Sequence, residues 1–336
     1  MTMSNSMRVA AVALVSAFAA SACAQTGPAS GENATDEDWP AGETMTLIVG
    51  YEAGGTTDTM ARALAKKLEE ELDAQIQVVN QDGAGGQRAY TELANAEPDG
   101  LTFGTVNYPT ILSTIVDKSK GATFTLDDFQ LVANHVNDPR VTIVHPDSQF
   151  KTAEDLVTYA KENPRELTGA TSGLSGGGHF SMLKLEEATG ADFAPVHFND
   201  GQADASAAFL GDHVDVYFAS IGDGLEIIRS GEGRPVGVAA QKRNSLLPDV
   251  PTYKEQGIDI EEAGMRGYAL PAGVPKERLD ILSDAMRKII TSEVHQTELR
   301  KLSLQSEYMG PAAYKDWLME QMPTVEHFTQ LSKTDQ

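Results

Sequence analysis

Gly50-Tyr-Glu-Ala-Gly-Gly-Thr-Thr-Asp58 lies between the apolar run Thr46-Leu-Ile-Val49 and a periodic segment carrying Met60, Ala61, Leu64, Ala65, Leu68 and Leu72. The spacing of three and four predicts a helix over residues 57–72 with a single apolar stripe, and the β-rich run before it predicts a strand. The glycines let the loop bend tightly and let another molecule approach the main chain. Thr56, Thr57 and Asp58 are N-cap and first-turn residue types. The loop thus offers the free N–H groups and positive dipole end of a helix at the carboxyl end of a strand, which is a generic anion seat. An ordinary capped β–α connection accounts for the same residues, so one such loop does not establish a site.

The device recurs. Leu167-Thr-Gly-Ala-Thr-Ser172 reads as a strand, followed by Gly173-Leu-Ser-Gly-Gly-Gly178 and a helix with Phe180, Leu183, Leu185 and Ala188, stopped by Gly190. Two strand–loop–helix units about 120 residues apart predict two α/β halves, each offering a helix N-terminus. Facing each other, they would hold a small carboxylated molecule between them.

The ends of the chain read differently. Residues 1–24 have Arg8 before the apolar run 9–20, then small residues, which is the pattern of a secretory signal peptide. Cys23 is the single cysteine, so no internal disulfide forms. It follows Ala19-Ala-Ser-Ala22, as in a bacterial lipoprotein whose cysteine becomes the lipidated N-terminus; soluble export with cleavage after Ala24 is the competing reading. Residues 25–43 read as a polar, acidic tether. The net charge of −23 becomes −24 when Arg8 is removed with the signal. So acidic a surface argues against nucleic acid and anionic membranes as partners.

Between the two units, Gln75-Ile-Gln-Val-Val79 and Leu101-Thr-Phe-Gly-Thr-Val106 read as strands, the second running on to Asn107-Tyr108-Pro109. Residues 80–86 form a third glycine loop before a helix over 89–96. Arg88 stands where a third dinucleotide-binding glycine would fall, so that fingerprint is not met. Residues 129–144 read as strand material leaving the first half, and 264–270 as the return. A strand is expected at 214–218 with Ala219-Ser220 at its carboxyl end, and helices from 275 to the end. Strands alternating with helices predict a mainly parallel sheet, with ligands at the carboxyl ends of strands.

Three chemistries are conceivable for these residues. Gly173-Leu-Ser-Gly-Gly177 is a literal G-x-S-x-G, and a serine hydrolase would pair Ser175 with Asp215 and with His295 or His327. No oxyanion segment accompanies it, and the first loop has the same form without a nucleophile. The seven histidines show no H-x-x-x-H or H-E-x-x-H, so no metal site and no cofactor are expected. Arg266 stands alone in an apolar crossing segment, where it would meet either a ligand carboxylate or an interdomain acid.

Taken in order, these stretches resemble the tripartite tricarboxylate transporter receptors, the TctC or Bug family. The resemblance is carried by Gly54-Gly-Thr-Thr-Asp-Thr-Met-Ala-Arg62, Val79-Asn-Gln-Asp-Gly-Ala-Gly-Gly86, Ala96-Glu-Pro-Asp-Gly-Leu-Thr-Phe-Gly104 and Asp127-Asp-Phe129. It continues through Thr171-Ser-Gly-Leu-Ser-Gly-Gly-Gly-His179, Val196-His-Phe-Asn-Asp-Gly201, Leu247-Pro-Asp-Val-Pro-Thr252 and Leu270-Pro-Ala-Gly-Val-Pro275. It implies an α/β, two-domain periplasmic-binding-protein-like fold of type II character, with crossing segments near 131–147 and 261–273 and the ligand in the interdomain cleft. Residues 44–140 plus 267–336 would form one domain and 141–266 the other.

The resemblance also implies a site. Tyr51, Gly54, Gly55, Thr56, Thr57 and Asp58 would serve it from one domain, and Thr171, Ser172, Gly173, Ser175, Gly176, His179, Asn199, Gly201 and Ser220 from the other. Tyr108, at the end of its strand, and Arg266 complete the expected set. The expected partners are a small organic acid and membrane permease subunits, for an exported and monomeric protein. The family commonly has a Pro-Tyr-Lys-Gly where this chain has His197-Phe-Asn-Asp-Gly201. With that lysine absent and Glu52 and Asp200 nearby, a monocarboxylate or a ligand with an amine or amide end fits the charge better than a tricarboxylate, and the expected ligand is a mono- or dicarboxylate. The rival functions are a secreted serine hydrolase and a ligand sensor for a signalling partner.

Overall fold

The computed structural model describes residues 39–198 and 202–334. Cys23, Asn199, Gly201, the signal and most of the tether lie outside the described residues. In chain order the first elements are β1 (Thr44–Val49), α1 (Thr56–Leu72), β2 (Gln75–Asn80), α2 (Gln87–Ala94), β3 (Thr102–Tyr108), α3 (Thr110–Val116) and β4 (Phe129–Val144). Next come α4 (Ala153–Glu162), β5 (Thr168–Thr171), α5 (Gly177–Thr189), β6 (Ala194–His197), α6 (Gln202–Leu210), β7 (Val216–Ser220), α7 (Ile221–Arg229) and β8 (Arg234–Val238). The chain ends with β9 (Ala263–Pro271), α8 (Lys276–Ile290), α9 (Glu293–Lys301), β10 (Ser306–Met309) and α10 (Pro311–Leu331).

The strands follow the order β2-β1-β3-β9-β4-β7-β5-β6, with β8 and β10 also on β4. β1 is parallel to β2 and β3, and β5 is parallel to β6 and β7. The strands joining these two parallel sets run the other way. β9 is antiparallel to β3 and β4, and β4 is antiparallel to β7 and β8. The sheet is therefore mixed, where a mainly parallel one was expected, because a strand that leaves one half for the other reverses the local direction. The 16 residues of β4 are long enough to serve both halves: Phe129 to Pro139 pairs with β9, and Arg140 to Val144 pairs with β7.

Each half buries its sheet between helices. Met60, Leu64 and Leu68 of α1 pack with Leu47, Phe103 and Met286, and all six are fully buried. Removing such a side chain from water contributes about 1.5–3 kcal/mol. In the second half, Leu156, Phe193, Phe218 and Tyr253 make the equivalent core. α10 packs on the first half through Tyr314, Leu318 and Val325, and its end reaches Phe180 and Leu183 of α5.

Three further expectations changed. Residues 275–336 are not all helical, because β10 pairs antiparallel with β4 at Asn134 and Val136. The strand expected at 214–218 is β7, shifted so that Ala219 and Ser220 lie inside it. Residues 39–43 are docked rather than part of a tether. Trp39 is 9% exposed and stacks under the Arg278 guanidinium, and Gly42 N–H donates to Asp73 O.

Candidate functional site

The carboxyl ends of the parallel strands open onto one cavity of about 900 Å³, within the size range of small-molecule sites. The 50–57 loop, the 82–87 loop, residues 172–177 and the start of α7 line it, together with Arg140, Gly264 and Arg266 from the crossing strands.

The first loop is held from within. Gly54 has φ 83°, which a residue with a Cβ adopts only under strain. Its N–H donates to Asp58 Oδ2 at 2.8 Å, and Gly55 N–H donates to Glu52 O. Asp58 is buried and accepts from Arg62 and Asn80 as well. Burial works against its carboxylate, but the bonds from Arg62, Gly54 and Asn80 hold its pKa below the ordinary value. Asp58 therefore shapes the loop from behind and does not face the cavity.

These bonds leave the helix itself open. The N-cap residues of α1 and α5 are Gly55 and Gly176, which supply no side-chain cap, whereas Thr152, Ser220 and Ser292 cap α4, α7 and α9. Thr56, Thr57 and Gly177 line the cavity, and their N–H groups have no partner among the described residues. The Thr57 hydroxyl accepts from Asn107 Nδ2 at 2.9 Å, so its own proton is available to an acceptor. The Thr56 hydroxyl donates to Asp223 Oδ1 at 2.5 Å, tying the start of α1 to the start of α7.

Of the residues expected at the site, Tyr51, Gly54, Gly55, Thr56, Thr57, Tyr108, Ser172, Gly173, Ser175, Gly176 and Arg266 line the cavity. Asp58, Thr171, His179 and Ser220 stand behind it. The Thr171 hydroxyl meets His197 Nδ1, His179 Nδ1 accepts from Ser175 N–H, and Ser220 caps α7. Arg266 Nη1 donates to Asp138 Oδ2 at 2.5 Å, and both side chains are buried. Burial pushes its pKa down, but Asp138, with Asp223 behind it, more than offsets this and holds it above the ordinary value. Arg266 is thus the crossing-strand ion pair.

The hydrolase constellation is not assembled. Ser175 has φ 57°, is buried, and meets the Ser332 hydroxyl at 2.6 Å. Asp215 accepts from Thr168, His295 faces His135, and His327 faces Glu187.

The sequence reading did not include the 82–87 loop, Asn107, Lys120, Arg140, Gln202, Gly222 or Asp223 among the site residues. The first had a legible signal, since it is a third glycine loop at the carboxyl end of a strand. Arg140 had a weaker signal than Arg266, since it is the one Lys or Arg of its strand but follows Asp138 by two residues.

Two α/β halves, joined by crossing strands and enclosing a cavity between facing helix N-termini, define a solute receptor of the periplasmic-binding-protein class. The sequence model of the tripartite tricarboxylate transporter family receptor, TctC, matches residues 60–329, and the chain belongs to that family. It is a binding protein and not an enzyme. It is 28% identical over 274 residues to the UPF0065 protein in gbd 5'region of Cupriavidus necator, covering 82% of this chain and 83% of that one. A TctC solute binding protein from Polaromonas is 26% identical with a TM-score of 0.72, covering 87% of this chain and 99% of that one. MatC from Rhodopseudomonas palustris with bound malate is 25% identical with a TM-score of 0.76, covering 85% and 99%.

Proposed function

We propose that the protein is an exported receptor that captures a small organic acid, a mono- or dicarboxylate, and delivers it to the membrane subunits of a tripartite permease. One observation carries this reading: α1 and α5 both start without a side-chain cap at one cavity, lined there by Thr56, Thr57 and Gly177, whose N–H groups have no partner among the described residues. Aligned peptide dipoles and unsatisfied N–H groups favour a carboxylate at such a point. That MatC binds malate supports an acid of this size. In this reading the lobes formed by residues 44–140 plus 267–336 and by 141–266 close on the ligand, the protein acts as a monomer, and Cys23 carries a lipid anchor. Export is supported by the periplasmic relatives and by the apolar segment at residues 9–20.

Thermal-shift measurement against a panel of succinate, malate, glutarate, adipate, pyruvate and benzoate tests it. An acid at 100 times its Kd adds about 2.7 kcal/mol to stability. No shift with any member would overturn the reading. For the anchor, Cys23→Ser should release the protein from membranes.

A further inference from the structure

Arg140 sits on β4 where that strand passes from β9 to β7, opposite Ser220 in the ladder. It is 6% exposed and lines the cavity. Its side chain makes no hydrogen bond or ion pair with any described residue, and its Nε is buried without a partner. A charge taken out of water without a counter-charge is strongly unfavourable. The acids of this region are engaged elsewhere. Asp138 holds Arg266 and the Gly222 N–H, Asp223 holds Thr56 and Ser220, and Glu262 holds Lys184 through Oε2, its Oε1 being buried without a partner and outside ion-pair distance of Arg140.

Two glycines make room for the guanidinium. A Cβ at position 177 would fall 2.0 Å from Arg140 Nη2, and one at 264 would fall 3.1 Å from it. Gly177 is the first residue of α5. The cation is therefore pressed against the positive end of a helix, the reverse of the placement that helix dipoles favour. Among the described residues, guanidinium and helix end each lack a direct polar partner, and both border the same cavity. An anion there would satisfy both.

We propose that Arg140 and the first turn of α5 form a direct anion subsite on the cavity wall. The ligand's carboxylate is gripped there by the guanidinium fork and the Gly177 N–H, not by backbone donors alone. The subsite rests on the solute-receptor reading and sharpens it, since selection becomes a selection for charge. A planar fork matches a carboxylate through two parallel bonds, and a primary amide of the same skeleton cannot reproduce them.

The test compares the best-binding acid of the panel with its primary amide by calorimetry. It uses the parent protein and the Arg140→Met, Arg140→Lys and Gly177→Ala variants. The parent should bind the acid at least about 30-fold tighter than the amide, and Arg140→Met should weaken acid binding by about 30-fold or more. Amide binding should stay within about threefold of the parent in that variant. Lysine keeps the charge but not the fork and should fall between. Gly177→Ala keeps the arginine but places a methyl group where Nη2 lies, and should also weaken acid binding. The ligand-free melting temperature of Arg140→Met supplies a second reading. It should hold or rise, because the deleted cation has no partner among the described residues. If the acid binds the parent but Arg140→Met binds it equally well and melts lower, Arg140 is structural and the subsite is refuted, while the receptor reading stands. If no acid binds the parent, both fall.

Discussion

Arg266→Met isolates the ion pair that fastens the crossing. Asp138 accepts from Arg266 Nη1 at 2.5 Å and from the Gly222 N–H at 2.9 Å, with the two side chains 3% and 8% exposed. One carboxylate thus joins β4, β9 and the start of α7. Methionine keeps much of the side-chain volume and leaves Asp138 buried without its cation. Breaking a buried pair costs about 3–5 kcal/mol. The surviving Gly222 N–H places the loss toward about 3 kcal/mol. For a chain of this size, 1 kcal/mol moves the melting temperature by roughly 2 °C, so the variant should melt roughly 6 °C below the parent. Asp138→Asn/Arg266→Met removes both charges and keeps an oxygen for Gly222, so it should recover most of the loss. Scanning calorimetry of the ligand-free proteins reads both. A single variant within about 2 °C of the parent would refute the pair as the fastening of the crossing strands. Ligand affinity should fall less in Arg266→Met than in Arg140→Met, since the Arg266 guanidinium is already committed to Asp138.

His135 and His295 face each other at 2.8 Å between Nε2 atoms, and burial lowers both pKa values, that of His295 to about 4. The unfolded chain binds these protons more readily, so stability should be full above about pH 6.5 and fall as the pH drops toward 4. His295 contributes up to about 3 kcal/mol to this loss, and His295→Gln should flatten the profile of melting temperature against pH. Thr56→Val removes the bond from α1 to Asp223, about 1.5–3 kcal/mol at most, and should enlarge the ligand-free protein in small-angle scattering. An unchanged radius would show that this bond does not hold the halves together. Ser175→Ala deletes the bond to Ser332 and should cost about 0.5–1.5 kcal/mol, with ester turnover at background in parent and variant alike. Turnover that depends on Ser175 would revive the hydrolase.

Periodicity and loop chemistry were enough to read the strand–loop–helix units. The apolar stripe from Met60 to Leu72 and the unbroken run at 129–144 are local patterns, and local patterns decide local structure. The ordered glycine loops and turn motifs carried the family as well. Partnership in space was not legible. Arg140 and Arg266 are each the one Lys or Arg of their strand, and the sequence does not say which of them Asp138 will meet. The register between β4 and β9 brings Asp138 to Arg266 and leaves Arg140 without an ion-pair partner among the described residues. Similarly, Gly54 and Gly55 read as donors to a ligand, but the fold turns their N–H groups to Asp58 and Glu52 and leaves those of the cavity-lining Thr56 and Thr57 without a partner among the described residues. A residue's intrinsic propensity travels with the sequence. Its desolvation and its counter-charge depend on neighbours far along the chain, and only the packed structure brings those together.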